Sequence, residues 1–330
     1  MRRSLSLIAS FVALIGISTG SATADFAGDT KLCKDSPNPD ERIAACTRQI
    51  NSRRWKGRDL AISYNNRGYG YDDKGDYDRA IADYTEAIRL NPNYAGAYNN
   101  RGVAFRNKAE YDRAIADYTE SIRLDPNTAH VYNNRGSVYD DKGEYDRAIA
   151  DYTEAIRLNP RYTSAYYNRG YAFANKRFYD RAIADYSEAI RLDPKHAKAY
   201  NNRGSVYEDK GERDRAIADY SEAIRIDSNY ARSYNNRGSV YEDKGDYDRA
   251  IADYNEAIRL NPKFASAYSN RGSAYNGKGD YDRAIADLTE AIRLDPKHAT
   301  AYNKRGIAFG NKNDHDRAIA DYTEAIRLDP

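Results

Sequence analysis

Tryptophan and methionine occur once each in this 330-residue chain, phenylalanine seven times and cysteine twice. The 32 tyrosines therefore supply most of the aromatic content. The four histidines, His130, His196, His298 and His315, are scattered, and no two share metal-ligand spacing on one helix. No glycine-rich phosphate loop and no nucleophile elbow occurs. The stretch Asp72-Asp73-Lys74-Gly75-Asp76 lacks the alternating acids and closing glutamate of a calcium loop, and reads as a turn between helices. Acidic residues recur in every unit of the chain, whereas a catalytic site is single. Together these absences argue against an enzyme, a metal centre or a cofactor. The 52 basic and 50 acidic residues nearly cancel, which gives no reason to expect nucleic acid or an anionic membrane as a partner.

Long apolar runs are missing everywhere except the start. Met1–Ala24 has the layout of a secretory signal peptide, with Arg2 and Arg3, an apolar stretch from Leu5 to Ile17, and small residues at Ala22-Thr23-Ala24. Its apolar stretch is short for a membrane span, the alternative reading. Removing Arg2 and Arg3 with this leader makes the two charge signs equal. An exported chain whose only cysteines are Cys33 and Cys46 is expected to join them in a disulfide. The competing reading of Cys46 is a small core residue, because Ile43, Cys46 and Ile50 fall on one helical stripe. The expected location is the periplasm or the outside of a Gram-negative cell.

What the chain has in abundance is repetition. Tyr64, Tyr98, Tyr132, Tyr166, Tyr200, Tyr234, Tyr268 and Tyr302 follow one another at intervals of 34 residues. A fixed period of this size marks a stack of repeated supersecondary units. In the unit Tyr132–Pro160, the residues Tyr132, Gly136 and Tyr139 predict one helix, ended by Lys142-Gly143. The stripe Tyr145, Ala148, Ile149, Tyr152, Ala155 and Ile156 predicts a second, stopped by Pro160. Neither helix can bury its apolar face alone, and stacking of neighbours supplies the missing cover. Ahead of the array, Asp25–Asp40 reads as an irregular lead-in because of Pro37 and Pro39, with Asp40 capping a helix from about Glu41 to Asn51.

The offsets of Tyr132, Gly136, Tyr139, Ala148, Tyr152, Ala155 and Pro160 resemble the tetratricopeptide repeat. The resemblance implies an all-α fold, a right-handed superhelical solenoid of helix-turn-helix repeats. It divides the chain into the leader 1–24, a lead-in and capping helix 25–60, and eight repeats at 61–94, 95–128, 129–162, 163–196, 197–230, 231–264, 265–298 and 299–330. Departures are few. Ala109, Arg177 and Asn313 stand at the turn glycine and are expected to loosen the turn. Leu288 replaces a second-helix tyrosine. Where the repeat pattern favours leucine, each unit has arginine instead, and each also has an aspartate in its second helix. Arg135 with Asp151, and Arg169 with Asp185, are expected to form a structural ladder of bidentate pairs.

By the same resemblance the first helices line an inner, concave wall, whose residues include Asn66, Asn100, Asn134, Asn168, Asn202, Asn236 and Asn270, with Lys304 breaking the run. This series is similar to the asparagine ladder in the repeat groove of the O-linked N-acetylglucosamine transferases. A side-chain amide complements a peptide backbone unit whatever its sequence. Asp72 and Asp73, Asp140 and Asp141, Glu208 and Asp209, and Glu242 and Asp243 add acids near the ends of first helices, where they oppose the helix dipole. A basic segment would offset that. The lysine-rich clamp of chaperone-docking tetratricopeptide domains is absent, since Asn65 and Asn99 occupy its places. In the unit Tyr132–Pro160 the residues left over for function are Asn133, Asn134, Ser137, Asp140 and Asp141.

The expectation is thus a non-catalytic scaffold that cradles extended protein segments in an Asn-lined, partly acidic groove. The alternative is an accessory subunit of an exported enzyme or envelope assembly, engaged through an uncapped C-terminal end. There Ile319, Tyr322 and Ile326 would support self-association through the last repeat.

Overall fold

Each 34-residue unit folds as two helices because its apolar positions keep helical spacing on both sides of a turn that needs a left-handed residue. The computed structural model describes residues 26–329; the leader expected at Met1–Ala24 lies outside the described residues, as does Pro330. Among the described residues there are 18 α-helices and no strand. At the turn, Gly75 has φ 74°. Its N–H donates to the Asp72 carbonyl at 2.8 Å, and the Asp76 N–H donates to Tyr71 at 2.9 Å, so two terminal carbonyls of the first helix are satisfied. Arg177 makes the same turn at φ 58°, with its N–H 2.8 Å from the Ala174 carbonyl and the Phe178 N–H 2.9 Å from Phe173. Ala109 and Asn313 behave alike, at φ 58° and 63°. The turn is therefore retained and not loosened at these positions; the backbone carries the strain instead.

The chain divides into two units, Met1–Ala104 and Phe105–Pro330. The first contains α1 (Phe26–Asp35), α2 (Pro39–Asn51), α3 (Gly57–Asp73), α4 (Tyr77–Leu90) and most of α5 (Ala95–Asn107). The irregular lead-in expected before Asp40 is instead a helix, α1, paired with α2. Pro39 does not oppose α2 but occupies its first turn, where a missing N–H costs nothing. The cap is Asn38, whose side chain accepts from the Asp40 N–H at 3.0 Å. Cys33 of α1 and Cys46 of α2 form a disulfide, and both are buried. Arg48 Nε donates to Asp29 at 2.9 Å, giving the pair a second clasp. The Gln49 amide bonds Thr30 at 3.1 Å and accepts from Ser63 at 2.8 Å, which ties α2 to α3.

In the second unit the first-type helices are α7 (Ala129–Asp141), α9 (Thr163–Asn175), α11 (Ala197–Asp209), α13 (Ala231–Asp243), α15 (Ala265–Gly277) and α17 (Ala299–Asn311). The second-type helices are α6 (Tyr111–Leu124), α8 (Tyr145–Leu158), α10 (Tyr179–Leu192), α12 (Arg213–Ile226), α14 (Tyr247–Leu260), α16 (Tyr281–Leu294) and α18 (His315–Leu328). Consecutive helices pack on one another, and each first-type helix from α9 onward also touches its predecessor of the same type. Tyr152, Tyr186, Tyr220 and Tyr254 are almost wholly buried between paired helices. They fit because glycine faces them: a Cβ at Gly136 would lie 2.8 Å from Tyr152 Cε1. At the place of Tyr152, α16 has Leu288, equally buried.

A polar layer runs through this packing. Arg135 Nε and Nη2 donate to the two oxygens of Asp151 at 2.8 Å each, and Arg169 does the same to Asp185. The remaining Nη1 reaches back one repeat, from Arg135 to Thr119 and from Arg169 to Thr153, both at 3.0 Å. Each arginine therefore links three helices. That third link has no counterpart in the reading of single units.

Candidate functional site

Four residues of α11 recur at helical spacing on one stripe: Lys198, Asn202, Ser205 and Asp209. Opposite them lie Arg203, Gly204 and Tyr207, which pack toward α12 through Asp219 and Tyr220. The stripe therefore faces away from the second helices. In α13 it continues as Arg232, Asn236, Ser239 and Asp243.

The asparagines at the centre of the stripe are not independent amides. Asn100, Asn168, Asn202, Asn236 and Asn270 donate to the preceding repeat, one position back from their own register. Asn168 Nδ2 bonds Asn133 Oδ1 at 3.1 Å, Asn236 bonds Asn201 at 3.3 Å, and Asn270 bonds Asn235 at 3.2 Å. In the first unit Asn100 bonds Asn65 at 3.1 Å. Tyr167 stands where asparagine is usual, and its hydroxyl accepts from Asn202 at 3.0 Å. Lys304 ends the run without breaking it, since its Nζ donates to Asn270 Oδ1 at 3.1 Å. Burial lowers the Lys304 ammonium from its ordinary range, with the charge of Glu242 opposing. The first asparagine of each pair is the buried anchor, Asn201 at 2% exposure. Of these anchors the sequence marks only Asn133 as left over for function, and Asn65 and Asn99 only as the places of the absent lysine clamp, although the doublet recurs at a fixed place. Asn236 also accepts from Asn235 at 3.4 Å, so two of its four hydrogen-bonding valences are used. One N–H and one lone pair remain, the complement of a single peptide group.

The acids divide into two kinds. Asp141, Asp209 and Asp243 are exposed at the helix ends. Asp141 accepts from Arg106 Nε at 2.9 Å. Glu208 and Glu242 lie on the flank, half-buried, where the hydroxyls of Tyr220 and Tyr254 donate to them at 2.7 and 2.8 Å. Burial raises the Glu208 carboxyl, the tyrosine bond opposing and Asp243 and Asp209 adding to the rise. Asp140 and Asp72 occupy the same register with one methylene fewer. Each has a buried Oδ1 without a partner, and beside Asp72 the Tyr84 hydroxyl is also unpaired. Burial, then the adjacent aspartate, pushes Asp72 up to about 6, and Asp140 likewise, with Arg106 opposing at Asp140.

His196 has a structural part. Its Nδ1 accepts from the Ala199 N–H at 3.2 Å, and its ring stacks on Tyr167 with centroids 4.9 Å apart. Among the described residues no group of histidine, cysteine and acidic side chains could hold a metal ion. No described helix is long and apolar enough to cross a membrane. On α18, Ile319 and Ile326 are 63% and 66% exposed.

Paired helices on a 34-residue period, with a polar stripe along the first helix of each pair, define an α-helical repeat array. The chain belongs to the tetratricopeptide repeat family. A family model described as TPR repeat matches residues 68–108, 137–176, 179–211, 209–245, 240–279 and 272–313, and another, described as Tetratricopeptide repeat, matches 95–128 and 299–330. Among solved structures, a tetratricopeptide repeat protein from Parabacteroides merdae is 21% identical, with a TM-score of 0.60 over 76% of this chain and 98% of that one. PilF of Pseudomonas aeruginosa is 23% identical, with a TM-score of 0.57 over 64% of this chain and 97% of its own. The Cut9–Hcn1 assembly of the APC/C gives 17% identity and 0.57 over 93% and 85%. At these identities the likeness is one of fold. No curated protein matches the chain. As a tetratricopeptide repeat protein it is a scaffold for protein–protein interaction, and no catalytic family is indicated.

Proposed function

We propose that the chain binds an extended polypeptide segment along the exposed stripe of its first-type helices. The observation that carries this is the asparagine series. Asn236 is held by bonds to Asn201 and Asn235, yet one donor and one acceptor of its amide are left over for a ligand. An ordered row of amides loses little freedom on binding, which favours affinity. Backbone recognition needs no particular side chains, so such a row suits a segment chosen by its extended shape. The exposed Asp209 and Asp243 favour basic residues in that segment.

Replacing Asn202, Asn236 and Asn270 together by alanine tests this, with fluorescence anisotropy of labelled unstructured peptides as readout. Binding is expected to weaken about a hundredfold, on the order of 1 kcal/mol per lost amide. Unchanged binding by a variant that retains its circular dichroism and melting profile would exclude the stripe.

We also propose that the chain is exported. The Cys33–Cys46 disulfide supports this, because such bonds persist in oxidising compartments. N-terminal sequencing of the mature protein checks it: a start at Asp25 is expected, and an intact Met1 would contradict it.

A further inference from the structure

Resting on the stripe reading above, we infer that α11 and α13 select an extended segment whose side chains alternate in charge, basic toward one edge and acidic toward the other. The two helices carry opposite charges at their two ends. Lys198 and Arg232 are exposed in the first turns, and neither meets a carboxylate among the described residues. Asp209 and Asp243 are exposed at the last residues of the same helices. Asp243 has only a loose contact, 3.8 Å from Arg213.

This is the reverse of what helix stability favours. A helix prefers acids at its N-terminus and bases at its C-terminus, and α11 and α13 have neither an acid in the first turn nor a base in the last. The corresponding first-turn residues elsewhere in the second unit are His130, Ser164, Ser266 and Thr300. At the other end α9, α15 and α17 place Asn175, Gly277 and Asn311 where Asp209 and Asp243 stand. Only in these two consecutive helices do both charged edges coincide.

The geometry gives the edges separate tasks. Lys198 and Asp209 are eleven positions apart, about 16 Å along the helix. Asn202 and Ser205, and Asn236 and Ser239, fill the space between. An extended strand crossing these helices points one edge of its backbone at the asparagines, and its side chains then project alternately to left and right. Residues on one side of such a strand recur about every 7 Å, while packed helices lie about 8–10 Å apart, a mismatch that flexible lysine and glutamate side chains absorb. Basic side chains would meet Asp209 and Asp243; acidic ones would meet Lys198 and Arg232. A uniformly basic or acidic segment satisfies one edge and leaves the other facing its own sign.

The experiment uses the full chain with its disulfide intact and four labelled synthetic peptides of about twelve residues. They are an alternating lysine–glutamate peptide, a block peptide of the same composition, alternating lysine–serine and alternating glutamate–serine. By anisotropy at low salt the alternating peptide is expected to bind about tenfold tighter than the block peptide and to lose that advantage as salt rises. In the K198E/R232E variant, whose changes are confined to exposed side chains, the preference is expected to pass to lysine–serine. Equal binding of the alternating and block peptides would overturn the two-edged reading while leaving the stripe in place. Tightest binding of lysine–serine by the unaltered protein would reduce the site to its acidic edge and equally overturn it. Failure of all four to bind would sink both this inference and the stripe itself.

Discussion

At Arg177 a cationic side chain sits on a backbone that only glycine adopts without strain. The cost is local, because the hydrogen bonds of the turn are all made. Arg177→Gly is therefore expected to raise stability by about 1 kcal/mol, less a small term for the looser unfolded chain. Urea unfolding measures it, and a lower midpoint would count against the strain argument. Asp140 offers a second test at this scale. Its carboxyl is pushed up to about 6, first by burial and then by Asp141, with Arg106 opposing. Since the folded value exceeds the ordinary 3.8, the folded protein holds this proton more tightly than the unfolded chain. The contribution is favourable at low pH and is lost as pH rises through about 6. Asp140→Asn removes the buried charge at nearly constant shape. It is expected to gain about 1 kcal/mol above neutrality, after discounting for partial solvent screening. Below pH 3.8, where the native carboxyl is already neutral, it is expected to gain nothing. A gain independent of pH would show that burial of charge is not the cause.

Between elements, the arginine layer replaces what would ordinarily be apolar packing. Arg135 joins α7 to α8 through Asp151 and to α6 through Thr119. Asp151→Asn leaves the half-buried guanidinium with no countercharge and is expected to cost about 2–3 kcal/mol, less than for a fully buried pair. Replacing both Arg135 and Asp151 by leucine is expected to recover most of that loss, because two apolar groups need no partners. A double variant as unstable as the single one would mean that the pair contributes more than the avoidance of a lone charge. The pairing could be read from the sequence, because arginine and aspartate recur together in every unit. The bond to Thr119 could not. It crosses into the preceding unit, and a single-unit pattern holds no record of which side chain lies across a stacking contact.

Over the whole array, each helix pair is held only by its neighbours, so a local loss stays local. Reduction of Cys33–Cys46 opens a loop closed across a separation of 13 residues. Chain entropy puts the destabilisation at about 3 kcal/mol. Amide exchange is expected to quicken in α1 and α2 while α11 to α14 keep their protection. Uniform quickening along the chain would contradict nearest-neighbour stability. Before the structure, α1 was illegible. Phe26–Asp35 carries few apolar residues, two prolines follow it, and its order comes from the disulfide and from Arg48 on Asp29. These contacts lie 13 and 19 residues ahead in the chain, beyond the reach of local pattern.

The sequence by itself determined the repeat, its two helices, the turn between them and the family, because a 34-residue period written eight times leaves one way to bury tyrosine, alanine and isoleucine. It also marked the asparagines and acids as the residues that stacking does not consume. Only the tertiary structure decided what those residues have left to offer. Asn201 spends its amide inside the stack, and Asn236 keeps half of its own. Glu208 reaches a tyrosine hydroxyl, whereas Asp140, shorter by one methylene, leaves an oxygen unpaired. Lys198 and Arg232 become an edge opposite Asp209 and Asp243 only once two helices lie side by side. The reason is physical: the period fixes which face of each helix is apolar, but the bonds between polar faces depend on distances across the stack, and those exist only when the stack has formed.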